Sequence, residues 1–495
     1  MQIIGIDVGT SGAKAAVFEP GRRMVACVRE PYSCICPAKG LLELDPEEVW
    51  QAVVRCLKRL AGQADASQVG MLAVSTQGEA VVPVDREGKP LMNAILTFDS
   101  RNAEEFGWFA GQTDRFRVME QTGMPSHPMF SATKLLWLRN HAPDVFEKAW
   151  KFFCFGDYIA FRLGAAPAID YAMASRTMLF DLRARRWSEE LTGLCGIPVE
   201  KLPEPVAAGT PIGTAGPVLT SLGYPDTLRL FCGSHDQICC SLGAGVFDEG
   251  VAMDSLGTTE SIVCVSSRLT ASRQNLACNI PVYPYPGEGL YSYMTFLTTC
   301  ASLLEWFRTQ LLDAPEEGFY AQYDQKLTEL RDQPASVFAL PYFAGAGTPQ
   351  MDFRAQGLFA GLTLDTDRYQ LYRAILEGTC FEGRLNLANM ESCGISVREL
   401  RCIGGGARSA PWLQMKADIT GRRVVSMACE EAGCLGAAML AGMGSGQFRS
   451  LREAGGDLLH ERGVFLPDPE RAARYEEAYQ TYLKLYPAGS TLYTI

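Results

Sequence analysis

The chain has 495 residues, of which 47% are hydrophobic and 20% are charged, and its formal net charge is -11. Because one hydrophobic core stops growing at about 250–300 residues, this length predicts two domains of similar size. The negative charge, without a basic stripe, argues against nucleic acid as a partner, since binding to phosphate backbones depends on clustered Lys and Arg. No apolar stretch reaches the roughly 18 residues of a membrane span, so we expect no membrane insertion.

Cysteine usage and the start of the chain predict the cellular compartment. The sequence holds 17 cysteines, which would indicate a disulfide framework in a small secreted chain. This chain is large, and it begins at Met1 directly with a predicted strand and no signal peptide. We therefore expect a cytoplasmic protein in which neighbours such as Cys239 and Cys240 are small buried hydrophobes rather than metal ligands.

The first predicted elements are two β-strands, 3–8 and 13–18, joined by a glycine-rich turn. Backbone N–H groups free of side chains, together with hydroxyls that donate to phosphate oxygens, are typical of phosphate-binding loops. We predict that this turn binds phosphate, with an ordinary tight hairpin as the alternative. Its first three residues are Gly9, Thr10 and Ser11.

Two charged residues flank this turn. Asp7 precedes it, and an acid beside a phosphate loop is repulsive unless a cation such as Mg²⁺ lies between them, directly or through water. We therefore predict that Asp7 holds the metal. Lys14 follows the turn and is a candidate counter-charge for phosphate, although on an edge strand it could equally be solvated.

Helical and strand patterns then alternate, which predicts an α/β fold. A helix opens at Pro46, residues 69–74 form a buried strand, and residues 131–138 form a second helix. Asp236 lies in a later run of small and apolar residues, 231–245, where an ionised side chain is unexpected without a partner or a function. The alternative for Asp236 alone is a turn or helix-cap residue.

Half a chain later the strand, turn and strand pattern repeats over 251–256, 257–259 and 261–265. Such a repeat indicates two related lobes whose turns face one another across a cleft. We expect an N-terminal domain over 1–246, a C-terminal domain over 247–445 and a helical extension over 446–495 that packs on the lobes. The second turn consists of Gly257, Thr258 and Thr259.

The second half predicts a helix over 369–389, a strand over 400–403 and a helix over 410–420. A further helix, 469–486, carries Ala and Tyr at helical spacing, which predicts a packing face. The glycine-rich segment before helix 410–420 lets a flat ligand lie against bare backbone. A nucleotide with its base and ribose there and its phosphates at both turns accounts for all three segments. That segment is Gly404, Gly405, Gly406 and Ala407.

Over nearly its whole length the chain resembles the FGGY carbohydrate kinase family, which belongs to the sugar kinase, actin and heat-shock ATPase superfamily. The resemblance implies two duplicated ribonuclease H-like (actin-like ATPase) domains around a central cleft. The segments that carry it are Asp7-Val-Gly-Thr-Ser11, Gly233-Ser-His-Asp-Gln237, Leu242-Gly-Ala-Gly245, Gly257-Thr-Thr259, Leu340-Pro-Tyr342, Arg373-Ala-Ile-Leu-Glu-Gly378 and Gly404-Gly-Gly-Ala-Arg-Ser409.

The resemblance further implies ATP-dependent phosphorylation of a sugar or polyol hydroxyl, with Mg²⁺ and with Asp236 as the base that takes the hydroxyl proton. An alcohol is a poor nucleophile, and a nearby carboxylate both aligns it and accepts its proton. The oligomeric state stays open, with a homodimer as one alternative. The sugar-binding residues that the resemblance implies are Gln77, Glu79, Asp99, Arg101 and Gln237.

Departures from the sequences of relatives narrow the range of possible substrates. Glycerol kinases show Gln-Arg-Glu where this chain has Gln77-Gly78-Glu79, and a Tyr where it has Met129. Xylulose kinases commonly show Gln-Met-His-Gly at the first of these segments and a Trp at the position of Thr97. Because Gly78 and Thr97 are smaller, we expect more room and favour a pentulose, a hexulose or the related alditol over a triol.

Two other functions keep the nucleotide cleft. An actin-like or chaperone ATPase without sugar transfer would have no use for the predicted sugar floor, and a non-catalytic sugar sensor is disfavoured by the intact Asp7 and Asp236. Two residues stay open. His235 either tunes Asp236 by its charge state or packs against the other lobe. For Glu260 the only interpretation is a contact to metal-bound water.

Overall fold

The computed structural model describes residues 1–287 and 289–493, and the part of the chain that it describes forms two α/β lobes. The sheet of the first lobe has the strands β1 (Gln2–Val8), β2 (Gly12–Glu19), β3 (Arg23–Pro31), β4 (Val69–Thr76), β5 (Pro211–Thr214) and β6 (Arg229–His235). They lie in the order β3-β2-β1-β4-β6-β5, in which β1, β4 and β6 run parallel and the other neighbours pair antiparallel.

The sheet of the second lobe repeats this arrangement. Its strands are β7 (Val251–Leu256), β8 (Glu260–Ser266), β9 (Val282–Pro284), β10 (Tyr291–Leu297), β11 (Glu399–Ile403), β12 (Arg423–Met427) and β13 (Glu461–Phe465). The order is β9-β10-β8-β7-β11-β12-β13, with β7, β11 and β12 parallel. Apart from the added edge strand β9, strand order and direction match those of the first sheet, so the two lobes share one topology.

The helices of the first lobe are α1 (Pro46–Ala61), α2 (Ala103–Gln112), α3 (Arg115–Thr122), α4 (Ser131–His141), α5 (Pro143–Lys148), α6 (Phe155–Leu163), α7 (Tyr171–Ser175), α8 (Glu189–Cys195), α9 (Pro217–Ser221) and α10 (Asp236–Gly243). The later helices are α11 (Arg273–Ala277), α12 (Ala301–Trp306), α13 (Phe319–Glu329), α14 (Arg368–Ser392), α15 (Ala410–Thr420), α16 (Ala432–Gly444), α17 (Leu451–Gly455), α18 (Pro469–Tyr482) and α19 (Leu485–Ser490). Among these described helices, none is both long and apolar enough to cross a lipid bilayer.

Five short strand pairs stand outside the two main sheets. They are Glu43–Leu44 with Ala94–Ile95, Val82–Val84 with Lys151–Phe153, Ala168–Asp170 with Glu204–Val206, Phe180–Asp181 with Arg186–Trp187, and Phe338–Leu340 with Leu358–Ala360. The first four lie in the first lobe and hold the long connections between β4 and β6 over its sheet.

Local sequence explains the secondary structure of the first lobe. Every residue of β4 is buried, as expected for a parallel strand covered on both faces. Helix α1 begins where the Asp45 carboxylate accepts from the backbone N–H of Glu47 at 2.9 Å, and Pro46 occupies the first turn, where no N–H partner is needed. The apolar face of α1 then packs on the first sheet and positions the turn between β1 and β2.

The tail differs from its predicted single helix. Helix α18 ends at Tyr482 and a separate helix begins at Leu485, because a helix running through residue 486 would bring Pro487 against the carbonyl of Leu483. The predicted packing face is confirmed, since Tyr475, Tyr479 and Tyr482 are buried. The segment 446–495 also contains strand β13, which joins the second sheet.

Helix α16 follows the second sheet in sequence but packs against β1, β4 and α10 of the first lobe. The contact is close enough to exclude a side chain: a Cβ built on Gly436 would lie 1.9 Å from the carbonyl oxygen of Cys239 in α10. Because α10 follows β6 and α16 follows β12, equivalent helices of the two lobes meet at the molecular centre. This contact fixes the lobes relative to one another.

We predict that Gly436→Ala destabilises the protein by about 1–3 kcal/mol or more, because backbone on both sides must shift to admit the methyl group. Gly193→Ala in α8 is the matched control, since a Cβ there meets nothing within 4 Å and alanine favours a helix. Urea midpoints of both variants check this expectation. Equal midpoints for the two would contradict the close contact.

Candidate active site

A cavity of about 500 Å³ lies between the lobes and brings half of the sequence-predicted site residues together. Its size and its mixture of apolar walls with convergent polar groups are typical of a small-molecule site. Asp236 lines the same cavity as both Gly-Thr turns, so no wall separates them. The predicted residues among its lining are Gly9, Thr10, Ser11, Gln77, Glu79, Asp236, Gln237, Thr258 and Thr259.

The two turns present free hydroxyls. In the first, the Gly9 N–H donates to the Gly12 carbonyl at 3.0 Å, and the Tyr32 hydroxyl donates to the Gly9 carbonyl at 2.6 Å, which leaves Thr10 exposed. In the second, the Gly257 N–H donates to the Thr259 carbonyl at 3.1 Å. Exposed Thr side chains on rigid, glycine-containing turns are suited to phosphate oxygens.

The segment 404–407 borders the second turn. Gly404 and Gly405 are exposed, and a Cβ on Gly404 would lie 2.8 Å from the Leu256 carbonyl oxygen at the end of β7. The backbone of this segment therefore runs directly beside Gly257. Backbone without side chains next to a predicted phosphate-binding turn fits a nucleotide. The base and ribose would lie on the segment 404–407, and the phosphates would reach the second turn.

Asp7 stands at the carboxyl end of β1, behind the first turn. Its Oδ1 accepts from the Ser75 hydroxyl at 2.8 Å, which leaves Oδ2 as the oxygen suited to a divalent cation. Burial raises the pKa of Asp7, although Ser75 and Lys14 act in the opposite direction. A carboxylate that is costly to ionise without a cation fits the predicted magnesium site.

Lys14 lies opposite Asp7 in the β1–β2 pair, but its charge is already balanced in part. Its Nζ lies 2.7 Å from Glu431 Oε2, at the residue that precedes α16. The Lys14 side chain is 32% exposed, and part of its charge is already balanced by Glu431. It joins the first sheet to the start of α16, and its contact with ATP stays a prediction.

Asp236 is the first residue of α10, directly after β6, and its side chain is 26% exposed toward the cavity. Burial, and then the negative charge of Asp7, raise the pKa of Asp236 to about 7, while Arg176 acts to lower it. A carboxylate that binds and releases a proton near neutrality is suited to general-base catalysis.

His235 contacts both Asp236 and the second lobe. Its Nε2 lies 3.2 Å from Asp236 Oδ1, and its ring meets Tyr283 edge to face at 6.3 Å between centroids. Burial and the nearby Arg176 hold the pKa of His235 well below its usual range, so the ring is neutral. The interpretation that His235 packs against the other lobe therefore agrees with the structure. The alternative, in which a charged imidazole tunes Asp236, does not.

Glu79 is held from all sides at the floor of the cavity. Its carboxylate forms an ion pair with Arg176 and accepts from the Thr97 hydroxyl at 3.0 Å. Its carbonyl accepts from Ser131 and from Lys134, each at 3.1 Å. Its backbone adopts φ 61°, which is strained for a residue with a side chain and is typical of functional sites.

The amides beside Glu79 complete this floor. Gln77 and Gln237 line the cavity, and within the described residues the side-chain oxygen of each has no hydrogen-bond partner. Buried polar atoms without protein partners indicate a polar ligand. Both residues can therefore meet substrate hydroxyls.

Asp99 and Arg101 lie apart from this floor. Arg101 donates to Asp99 through Nε and a terminal nitrogen, each at 2.8 Å, and to Glu43 at 2.7 Å. The Leu42 N–H also donates to Asp99, at 2.6 Å, so the carboxylate is saturated. Asp99 lines a neighbouring cavity of about 400 Å³. Because Asp99 and Arg101 hydrogen-bond to each other, Arg101 holds the loop in place.

The expectation that Gly78 leaves room for substrate is wrong. A Cβ built on Gly78 would lie 2.8 Å from Arg176 Nε and 3.1 Å from the His235 ring, so those side chains already fill the space. Thr97 lines both this cavity and the neighbouring one.

Glu260 does not face the cleft, which rules out contact with metal-bound water. It is 2% exposed, and Lys416 Nζ lies 2.6 Å from its Oε1 and 2.5 Å from Asp254 Oδ2. Lys416 belongs to α15, and Glu260 follows the second turn directly. The buried group therefore fastens the second turn to the helix that follows the segment 404–407.

Sequence reasoning missed Arg176, which is 4% exposed and lines the cavity. The signal was present, since Arg176 is the single charged residue of the run 171–180, as Asp236 is of its own run. It also missed Met294 and Phe296 of β10, which line the cavity from the second lobe. Nothing local distinguishes those two from core residues.

Comparisons with known proteins agree with this architecture. Residues 2–243 match the FGGY family of carbohydrate kinases, N-terminal domain, and residues 252–445 match its C-terminal domain. Xylulose kinase of Escherichia coli (strain K12) is 31% identical over 98% of this chain and 98% of its own length. Glycerol kinase of Saccharolobus islandicus (strain M.14.25 / Kamchatka #1) is 30% identical, covering 91% of this chain and 89% of its own.

Among solved structures, xylulose kinase from Rhodospirillum rubrum superimposes with a TM-score of 0.90 at 25% identity, over 100% of both chains. The duplicated α/β fold expected from the resemblance is thereby confirmed. Both family domains are matched, in order and nearly end to end, and the chain accordingly belongs to the FGGY family and is a carbohydrate kinase.

Proposed function

We propose that the protein transfers the γ-phosphoryl group of ATP to a hydroxyl of a ketose, either a pentulose or a hexulose, or of the related alditol, with Asp236 as general base. One observation carries the proposal. Asp236, whose pKa is raised to about 7, shares a single cavity with both Gly-Thr turns and with Gln77 and Gln237, whose side-chain oxygens have no partner within the described residues.

In this mechanism the substrate hydroxyl donates to Asp236, which accepts its proton as the oxygen bonds to the γ-phosphorus. The bond from that phosphorus to the bridging oxygen of ADP breaks, and ADP carries away the electron pair. Thr10, Thr258 and the turn backbones donate to phosphate oxygens and hold the group in line. Closure of the lobes excludes water, which would otherwise compete as acceptor.

The same proposal places adenosine on Gly404, Gly405, Gly406 and Ala407 and a magnesium ion at Asp7. When bound, Mg²⁺ supplies neutralisation of phosphate charge, which Lys14 alone does not provide because it pairs with Glu431. The raised pKa of Asp7 supports this assignment, since a nearby cation would favour its ionised form.

Substrate size follows from the cavity. The volume of about 500 Å³ also takes in both phosphate turns, and this cavity shares Thr97 with the neighbouring cavity of about 400 Å³. Relatives named for xylulose and relatives named for glycerol both match the chain. The small side chain at position 97 favours the larger of these substrate types.

We predict that Asp236→Asn lowers kcat by about 10²–10⁴-fold, because an amide accepts no proton, while ATP and sugar still bind. Coupled ADP release with a ketose and polyol panel, together with calorimetric binding, measures both. Asp170→Asn is the matched control, because this buried carboxylate beside Ser234 has a pKa raised to about 6 but lies outside the cavity, and we expect it to keep most activity.

Other outcomes would identify the alternative functions. ATP hydrolysis that is independent of every sugar would indicate an actin-like or chaperone ATPase. Sugar binding without any turnover would indicate a sensor. Either result would contradict the proposed transfer.

We predict that kcat/KM falls with decreasing pH through about 7. The pKa of Asp236 is raised, so the carboxylate is protonated below that value and cannot accept the hydroxyl proton. With one limiting group the loss is about tenfold per pH unit. The profile is measured for the wild type and for Asp170→Asn; a profile that moves with Asp170 would contradict the assignment to Asp236.

A further inference from the structure

Arg176 follows α7 in the first lobe, and its side chain crosses to the floor of the cavity, where it is 5% exposed. Its guanidinium carbon lies 5.8 Å from the Phe130 ring centroid and 5.7 Å from that of Tyr283, so aromatic faces hold it in position. Glu79 balances its charge. An arginine restrained in this way presents its N–H groups in fixed directions.

The hydrogen bonds of this guanidinium are incomplete. One terminal nitrogen is paired with Glu79, and the other makes a weak contact with the Met294 sulfur at 4.0 Å. The Tyr283 hydroxyl also lies close to the guanidinium. Within the described residues, Nε has no partner. A buried charged donor without an acceptor is costly, which indicates that an acceptor arrives with the ligand.

Gly78 is matched to this arrangement. Its backbone passes so close to Arg176 Nε that a Cβ would lie 2.8 Å away. The backbone cannot withdraw easily, because the Gly78 carbonyl accepts from Thr97 at 3.0 Å. Any side chain at position 78 therefore displaces the guanidinium rather than the loop.

Donors and acceptors in the cavity divide in a way that suits one substrate class. Arg176 can only donate, whereas the free oxygens of Gln77 and Gln237 can only accept. An open-chain ketose carries one carbonyl oxygen, which can only accept, and several hydroxyls, which both donate and accept. An alditol has a hydroxyl where the ketose has its carbonyl; its oxygen can also accept from Arg176, but its proton then needs an acceptor of its own beside a group that can only donate.

We propose that Arg176 is a specificity-determining residue whose Nε–H donates to the carbonyl oxygen of an open-chain ketose, and that Gly78, because it has no side chain, lets the guanidinium lie where it can do so. This inference rests on the proposed sugar kinase function and selects the ketose over the alditol. A site whose polar groups match one substrate group discriminates against an analogue that leaves a polar group unpaired.

The test compares ketose and alditol pairs, D-xylulose with xylitol and D-ribulose with ribitol, using the purified full chain and ATP. We expect the wild type to favour each ketose by at least about tenfold in kcat/KM. Arg176→Lys keeps the charge but loses Nε–H, so the ketose should lose about 10–100-fold and the preference should approach parity, with the KM for ATP unchanged.

Gly78→Ala provides a second, independent variant, because it moves the guanidinium without removing any charge. It should shift the preference in the same direction, and it carries the test if Arg176→Lys does not fold. Arg373→Lys is the matched control: Arg373 is equally buried in α14 and pairs with Glu377 at 2.6 Å, away from the cavity. It should lower stability and leave the ketose preference unchanged.

The outcomes separate the two levels of the argument. A wild type that phosphorylates none of these substrates nor any of a wider sugar panel would overturn the proposed function. Turnover with an alditol preference, or with a ketose preference that Arg176→Lys and Gly78→Ala both retain, would overturn the inference and leave the kinase function standing.

Discussion

The arrangement of this molecule depends on the backbone contact between α10 and α16, where Gly436 meets the carbonyl of Cys239. Helix α10 begins with Asp236 and belongs to the first lobe, whereas α16 follows a strand of the second sheet, so this contact sets the position of Asp236 relative to the second lobe. A side chain at the crossing would move the lobes apart. The active-site geometry is thus a consequence of helix packing at the core rather than of the loops alone.

Three basic side chains around the cleft are balanced by carboxylates. Lys14 pairs with Glu431, Arg176 with Glu79, and Lys416 with two carboxylates. Each group joins segments distant in sequence, and breaking either of the two buried groups would leave a buried charge uncompensated. Asp236 belongs to none of these three groups. Burial, and then the negative charge of Asp7, raise its pKa, while Arg176 acts to lower it.

Much of the fold could be predicted because its signals are local. The two hairpins, the helix over 410–420 and the unusual charge at Asp236 all follow from short runs of sequence. The ion-pair partner of a charged side chain could not be predicted in this way. Lys14 meets Glu431 across 417 positions of the chain, so nothing near Lys14 indicates that its charge is taken.

The same limit explains the error at Gly78 and the missed role of its neighbour. A small residue indicates space only if no other segment fills it, and Arg176, from almost a hundred positions later, does so. Asp99 and Arg101 show the converse, since residues of suitable chemistry at a suitable position hydrogen-bond to one another. Assigning a site residue therefore requires the whole set of its contacts.

All ionisable side chains among the described residues that line the main cavity, Glu79, Arg176, His235 and Asp236, come from the first lobe. The second lobe gives that cavity hydroxyl, amide and apolar groups, while its own buried group around Lys416 fastens the turn beside the segment 404–407. In the proposed function, the charged groups that meet the acceptor therefore come from one half of the chain, although both halves contribute a phosphate turn. Acceptor preference can then diverge through substitutions in the first half that leave the segment 404–407 of the second half unchanged.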